Sequence, residues 1–479
     1  MKRRDFLRNS ALVGAGVAAM PSLKAGERTK YNSLRPSKSE RNFQSDAVDT
    51  LIGELKQKIS DPKLSWLFEN CFPNTLDTTV EYREVQGKPD TFVITGDIHA
   101  MWLRDSTAQV WPYLPLLEID EKLRKMVLGL VHRQSACVQI DPYANAFNFD
   151  DSEKSHWASD HTKMSNSLHE RKWEIDSLCY VVRLAYGYWK QTNRKDAFDK
   201  SWHKTAELIY RTFVEQQRKE DAGPYSFTRT TDRQTDTMPG FGWGNPIKPN
   251  GLICSAFRPS DDATSYLYLI PSNHFAVVSL GQMAEILREI YGDNDLASKC
   301  EVLKEEVEHA LQQYAELKHL KYGKIIPFEV DGFGNELFMD DSNIPSLLSL
   351  PYLGALSEKD KLYQRTRKFV LSEDNPYFWR GEVCEGVGGP HVGMYYVWPM
   401  SVIMRALTSS DEKEIESCLK MLCNMDGDTG FMHEGVHKDD ATKFTRSWFA
   451  WVNTLFGELV VKVSNHYPEL LQKSYFEPK

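Results

Sequence analysis

The sequence predicts an all-α fold, an (α/α)6 barrel of six inner and six outer helices with short β excursions in its loops. Three observations point there. Amphipathic, charged segments lie at about 46–70, 120–135, 195–217, 292–315, 357–371 and 411–424. Apolar, aromatic-rich segments alternate with them at about 100–115, 172–192, 263–290, 343–354, 394–407 and 445–462. Strand signals are few, and no repeated βα pattern occurs, which argues against a parallel-sheet enzyme.

Each kind of segment has its own reason. In 292–315, Leu296, Cys300, Leu303, Val307 and Leu311 recur at helical spacing among Glu and Lys, which marks an outer helix with one buried face. Near the C-terminus, Trp448, Trp451, Val452, Leu455, Phe456 and Leu459 cover most of a helix surface, as an inner helix requires. The stretch 321–338, "KYGKIIPFEVDGFGNELF", reads as a short hairpin on a loop. Parallel inner helices place the loops that enter them at one mouth. The richest polar-aromatic stretches fall there: 95–106, 170–177, 257–266, 338–346, 388–399 and 433–448.

The ends of the chain read differently. Arg3-Arg4 followed by Phe6-Leu7 and a short apolar run from Ala11 to Met20 reads as a twin-arginine export signal over 1–25. That predicts a periplasmic or cell-surface protein of a bacterium. Residues 26–45 are polar and aperiodic and read as a linker, leaving 46–479 as a single (α/α)6 domain. The formal net charge is -9, and removal of 1–25 makes the chain more acidic still. An acidic surface disfavours nucleic acid and acidic polymers and suits a neutral substrate. Mean hydropathy is -0.49, and no apolar run is long enough to span a bilayer. The eight cysteines are scattered without a C-x-x-C and read as mostly buried free thiols.

The chemistry-bearing stretches each admit two readings. "HEGVH" (433–437) fits the zinc-protease pattern, which needs a helix to bring both histidines to one face. Gly427, Gly430 and Gly435 crowd the region and disfavour that helix. In "FRPSDDATSY", either Ser260 or Asp261 caps a helix, or one carboxyl of the stretch faces the mouth and donates a proton. A helix N-terminus lowers a carboxyl pKa, whereas a general acid needs it raised. Trp102, Arg104 and Asp105 open an inner helix. They suit stacking on a sugar and gripping its hydroxyls, or equally a buried ion pair. Glu174, Asp176, Asp340 and Asp341 are caps, surface charges or pocket residues.

Three stretches carry a resemblance: "TGDIHAMWLRDSTAQVWPY", "FRPSDD" with "LIPSNHFA", and "HEGVHKDDATKFTRSWFAWVNTLFGEL". These stretches resemble glycoside hydrolase family 125, the bacterial exo-α-1,6-mannosidases, and the resemblance covers most of the chain after about residue 46. The resemblance implies an (α/α)6 barrel, an inverting mechanism, and no metal or other cofactor. It places the general acid on Asp261 and the general base on Glu434. Trp102, Arg104 and Asp105 are then expected to hold the terminal mannose of an oligosaccharide, with Asp262, His433 and Arg446 also at the sugar. An inverting α-glucosidase or trehalase-like enzyme, or a non-catalytic glycan-binding protein, would keep the fold and change the site.

Overall fold

The computed structural model describes residues 31–475, so the export-signal segment lies outside the described residues. In chain order the α-helices are α1 Asp46–Lys58, α2 Pro62–Cys71, α3 Asn74–Thr78, α4 Leu103–Val110, α5 Glu121–Ile140, α6 Ile175–Thr192, α7 Lys200–Gln216, α8 Ile270–Ile286, α9 Asn294–Tyr314, α10 Lys361–Val370, α11 Pro399–Leu407, α12 Glu412–Leu422 and α13 Ala450–His466.

The outer helices are α1 with α2, α5, α7, α9, α10 and α12, where the charged segments predict them. Their starts are sealed by their own side chains. Asp120 accepts from Leu123 N, Asp199 from Ser201 N and Trp202 N, Asp293 from Leu296 N, Asp360 from Leu362 N and Tyr363 N, and Asp411 from Lys413 N. Each bond satisfies a backbone N–H that the helix itself leaves free. One face of each is buried: in α12, for example, Ile415, Cys418, Leu419 and Leu422.

The inner helices α4, α6, α8, α11 and α13 are buried over most of their surface. They begin at Trp102, Glu174, Leu269, Trp398 and Phe449, none of which caps its helix with a side chain. α4 packs on α6, α6 on α8, α11 on α13, and α13 returns to α4, so the ring is closed by the last helix.

The inner position predicted at 343–354 is filled by turns rather than a regular helix. Pro345 and Pro351 each remove a backbone donor that a helix needs. The segment still buries Leu347, Leu348, Leu350 and Leu353. Asp340 closes its first turn by accepting from Leu347 N (2.8 Å) and Leu348 N (3.1 Å). Tyr180 of α6 donates to Ile344 O (3.1 Å), and Tyr352 donates to Glu458 of α13 (2.9 Å), which ties the segment to the ring.

Short antiparallel ladders join the loops at the mouth. Met101–Trp102 pairs with Ala146–Phe147, which pairs with Leu168–Glu170. Tyr396–Val397 pairs with Gly435–His437, which pairs with Asp440–Thr445. The predicted hairpin at 321–338 resolves into two, and the second, Glu329–Val330 with Glu336–Leu337, also pairs with Tyr268–Leu269 at the entry to α8.

The polar stretch read as a linker is packed from Ser33 on, within the same unit as the barrel. Arg35 pairs with Asp49 and Asp77 at 2.8 Å each, and Phe43 is buried. All eight cysteines are free and buried. Among the described residues no helix is long and apolar enough to cross a membrane.

Candidate active site

Arg104, in the first turn of α4 and only 2% exposed, is the centre of one half of the site. Its Nη1 donates to Glu174 Oε2 (2.6 Å) and Asp176 Oδ2 (3.1 Å), and its Nη2 donates to Asp261 Oδ1 (3.2 Å). Asp105 lies 3.6 Å from its Nε. One guanidinium thus faces four carboxyl groups drawn from three mouth loops. In a desolvated cluster of that composition the acids cannot all be ionised. Burial drives Glu174 well above the carboxylate range; Arg104 opposes this, and negative charge on Asp261 and Asp176 adds to it. Burial likewise pushes Asp176 up to about 6 against the pull of Arg104, and raises Asp105.

Asp261 behaves in the opposite way. Burial favours its neutral form, but the charges of Arg104 and Lys172 overcome that and hold it below the ordinary range. Lys172 Nζ donates to Asp261 O (2.9 Å) and to Asp236 (2.7 Å), and Asn145 Nδ2 approaches Asp261 Oδ1 at 3.4 Å. The Asp261 side chain is 27% exposed, whereas Glu174 and Asp176 are fully buried, so Asp261 is the acid of this group with access to a ligand. Asp261 is not a helix cap. It sits in a tight turn at φ 66°, with its N–H on Arg258 O, and α8 starts only at Ile270. The left-handed region is uncommon for a non-glycine residue and clusters at functional sites. The helix-dipole conflict posed by the sequence therefore does not arise.

The second half surrounds Glu434, which is 7% exposed. Arg446 Nη1 lies 3.6 Å from Glu434 Oε1, and Arg446 Nε donates to Asp97 Oδ1 (2.9 Å). Gly96 makes the close approach beneath them: at φ +134° a Cβ there would lie 2.4 Å from Trp448 O. Asp97 N and Ala450 N bond across the same junction, so the first and last mouth loops are joined.

The halves meet along two routes. Asp105 is influenced by the charges of both Asp261 and Arg446. Asp262, buried, pairs with Arg233 (3.1 Å) and lies 3.5 Å from His391 Nδ1. Burial disfavours charge on His391, but Asp262 and Glu434 outweigh it and raise its pKa.

"HEGVH" forms no helix. Gly435–His437 is a strand, and His433 lies ahead of it, 1% exposed. The His433 ring stacks on Phe444 at 3.6 Å; Nδ1 lies 3.2 Å from Arg446 O, and Nε2 lies 3.0 Å from Thr429 Oγ1 and 3.2 Å from Asp426 O. Both nitrogens are engaged by the protein, so His433 buttresses the chain beside Glu434 instead of facing a ligand. Trp102, expected to stack on sugar, is 6% exposed and packs edge-on against His169. Asp340 serves as a turn cap, as described above. Asp341 accepts from Ser260 Oγ (2.7 Å) behind Asp261.

Sequence reasoning missed Asn145, Lys172, Arg229 and Arg233. Lys172 lies inside the 170–177 stretch, so its neighbourhood was flagged though the residue was not. Arg229, which braces Asp160 (2.7 Å) and Glu170 (2.9 Å) and covers Trp157, sits in a loop with no periodicity to mark it.

The sequence profile of the metal-independent α-mannosidases, glycoside hydrolase family 125, matches residues 61–461. The chain belongs to this family. A Streptococcus pneumoniae metal-independent α-mannosidase, solved in a non-productive complex with α-1,6-mannobiose, is 43% identical, with a TM-score of 0.85 over 88% of this chain and 99% of that one. A Schizosaccharomyces pombe protein, "meiotically up-regulated gene 157 protein", is 41% identical over 92% of this chain and 90% of its own length. Similarity of this extent therefore reaches beyond bacteria. A bacterial glucoamylase in complex with acarbose shares the fold at 11% identity, with a TM-score of 0.52 over 89% of this chain and 57% of that one. Against the family 125 assignment, the barrel predicted from alternating segments is the architecture of the chain.

Proposed function

We propose that the protein is an exo-acting, inverting α-mannosidase that removes non-reducing terminal α-1,6-linked mannose from glycans. The observation that carries this reading is the contrast between two carboxylates. Asp261 is partly exposed and set among fully buried acids whose pKa values burial raises; Glu434 is set beside the Arg446 cation. Family membership and a relative that binds α-1,6-mannobiose support the choice of sugar.

Asp261, protonated in the Michaelis complex, gives its proton to the glycosidic oxygen as the C1–O bond breaks. Glu434, ionised, takes a proton from a water that attacks C1 from the opposite face, so the product has inverted configuration. Arg446, 3.6 Å from Glu434 Oε1, holds the Glu434 carboxylate in place. Arg104 and Asp105 hold the floor of the site. We also propose that the chain is exported, as its first residues suggest; cell fractionation that finds it only in the cytoplasm would remove that part.

The test is hydrolysis of α-1,6-mannobiose followed by NMR, with and without EDTA. The expected result is β-mannose as first product and unchanged rate with EDTA. α-Mannose first would mean retention, and an inert wild-type enzyme would sink the substrate assignment. A parallel series of glucobioses and trehalose should show at most trace turnover.

A further inference from the structure

The mechanism above needs a proton on Asp261, yet Asp261 lies against two cations, Arg104 and Lys172. The structure assigns the missing proton to Glu174: we propose that Glu174 and Asp261 share one proton, stored on Glu174 Oε1 at rest and passed to Asp261, which gives it to the leaving oxygen. This rests on the reading of Asp261 as the general acid and adds a positioning and proton-storing residue behind it.

The hydrogen bonds divide the Glu174 carboxyl in two. Oε2 accepts from Arg104 Nη1 (2.6 Å) and from Ser177 Oγ (2.9 Å). Oε1 is fully buried and has no donor among the described residues. Glu174 and Asp261 sit on the two amino groups of the same Arg104 guanidinium, Glu174 on Nη1 (2.6 Å) and Asp261 on Nη2 (3.2 Å), and interact with each other. Two ionised carboxylates in that position repel, and a buried oxygen without a donor is costly. Both problems vanish if Oε1 carries a proton and donates it to Asp261. Burial and the neighbouring carboxylates favour that state of Glu174. Asp261 Oδ1 already accepts from Arg104 and Asn145, so its other oxygen is available to exchange protons.

The step balances. The proton of Glu174 passes to Asp261, and the glycosidic oxygen takes that same proton from Asp261 as its bond to C1 breaks, leaving both carboxyls ionised. Water oxygen bonds to C1 and its proton goes to Glu434. After product release Glu434 loses that proton to solvent, and solvent returns one to the Glu174–Asp261 pair. The two carboxyls therefore titrate as one unit, and the basic limb of the pH profile belongs to the pair.

The test compares two substrates in Glu174→Gln, which keeps an oxygen for Arg104 and Ser177 but has no proton to share. With α-1,6-mannobiose, kcat/KM should fall about 100-fold at pH 7, KM should change little, and the basic limb should move at least about one unit toward acid. With 2,4-dinitrophenyl α-mannoside, whose leaving group needs no proton, turnover should stay within about threefold of wild type. Glu174→Asp, which restores a carboxyl, should return the basic limb toward its wild-type position, and it serves alone if the Gln variant does not fold. Equal losses on both substrates, or an unmoved basic limb in Glu174→Gln, overturn the proposal; so does an acid-shifted limb in Glu174→Asp. Asp261→Asn separates the two readings: if it still cleaves mannobiose at the wild-type rate, Asp261 itself is misassigned.

Discussion

The two rings of helices start in different ways. In the outer ring an aspartate stands just before the helix and its carboxylate closes the first turn, as at Asp120, Asp199, Asp293, Asp360 and Asp411. In the inner ring no side chain closes the start, and the acids nearby turn to groups far away in sequence: Glu174 and Asp261 both reach Arg104, across 70 and 157 residues. Outer acids act on their own helix and are local stability devices. Inner acids act on one another and on whatever enters the mouth. The same residue type thus closes helices in one ring and builds the candidate site in the other.

The comparison breaks most sharply at the reacting carboxyls. Asp261→Asn and Glu434→Gln should each lower kcat/KM for mannobiose by about 10²–10⁴-fold, with the thermal midpoint nearly unchanged, as steady-state kinetics and calorimetry would show. Arg104→Met should damage both properties. It leaves the acids around it without their cation, at a cost of about 3–5 kcal/mol in denaturant unfolding at pH 7. The penalty should shrink toward pH 4, where those acids are neutral. An outer cap should do the reverse of a catalytic substitution: Asp360→Ala should cost about 1 kcal/mol in the same assay and leave kcat/KM as it was.

The smallest effect expected is a change of slope. Glu458 on α13 is raised from 4.5 to about 7 by burial, beside Tyr352. A folded-state pKa above the unfolded one means that the folded protein binds more protons between those values. Its contribution is therefore complete below the unfolded pKa and is lost as pH rises through about 7. Glu458→Gln should flatten the pH dependence of stability across that window, measured by urea midpoints from pH 4 to 8.

The same division explains what could be read from the sequence. Outer helices announce themselves by one-sided spacing, and all the charged segments became helices. Apolar segments announce burial but not conformation, so 343–354 was correctly placed inside yet folds as turns around Pro345 and Pro351. Arg104, Asp105, Asp262, Glu434 and Arg446 all lie in the converging loops. The environments of His433 and Trp102 were not legible, because Phe444 and His169 cover them only after distant strands pair. Nor was the turn at Asp261, whose position depends on Arg104 and Lys172 from two other loops. Local pattern fixes an element's face; partners from other loops fix a side chain's task.

One consequence follows from the closure of the ring by α13. This helix packs against α2, α4 and α11, and Glu434 hangs from the hairpin that leads into it. During synthesis, every part of the half around Arg104 and Asp261 has left the ribosome long before the half around Glu434 can be positioned. A chain truncated ahead of Ala450 would display the apolar flanks of α2, α4 and α11 to solvent and to other nascent chains. Catalytic competence and protection from aggregation therefore arrive together, with the last stretch translated.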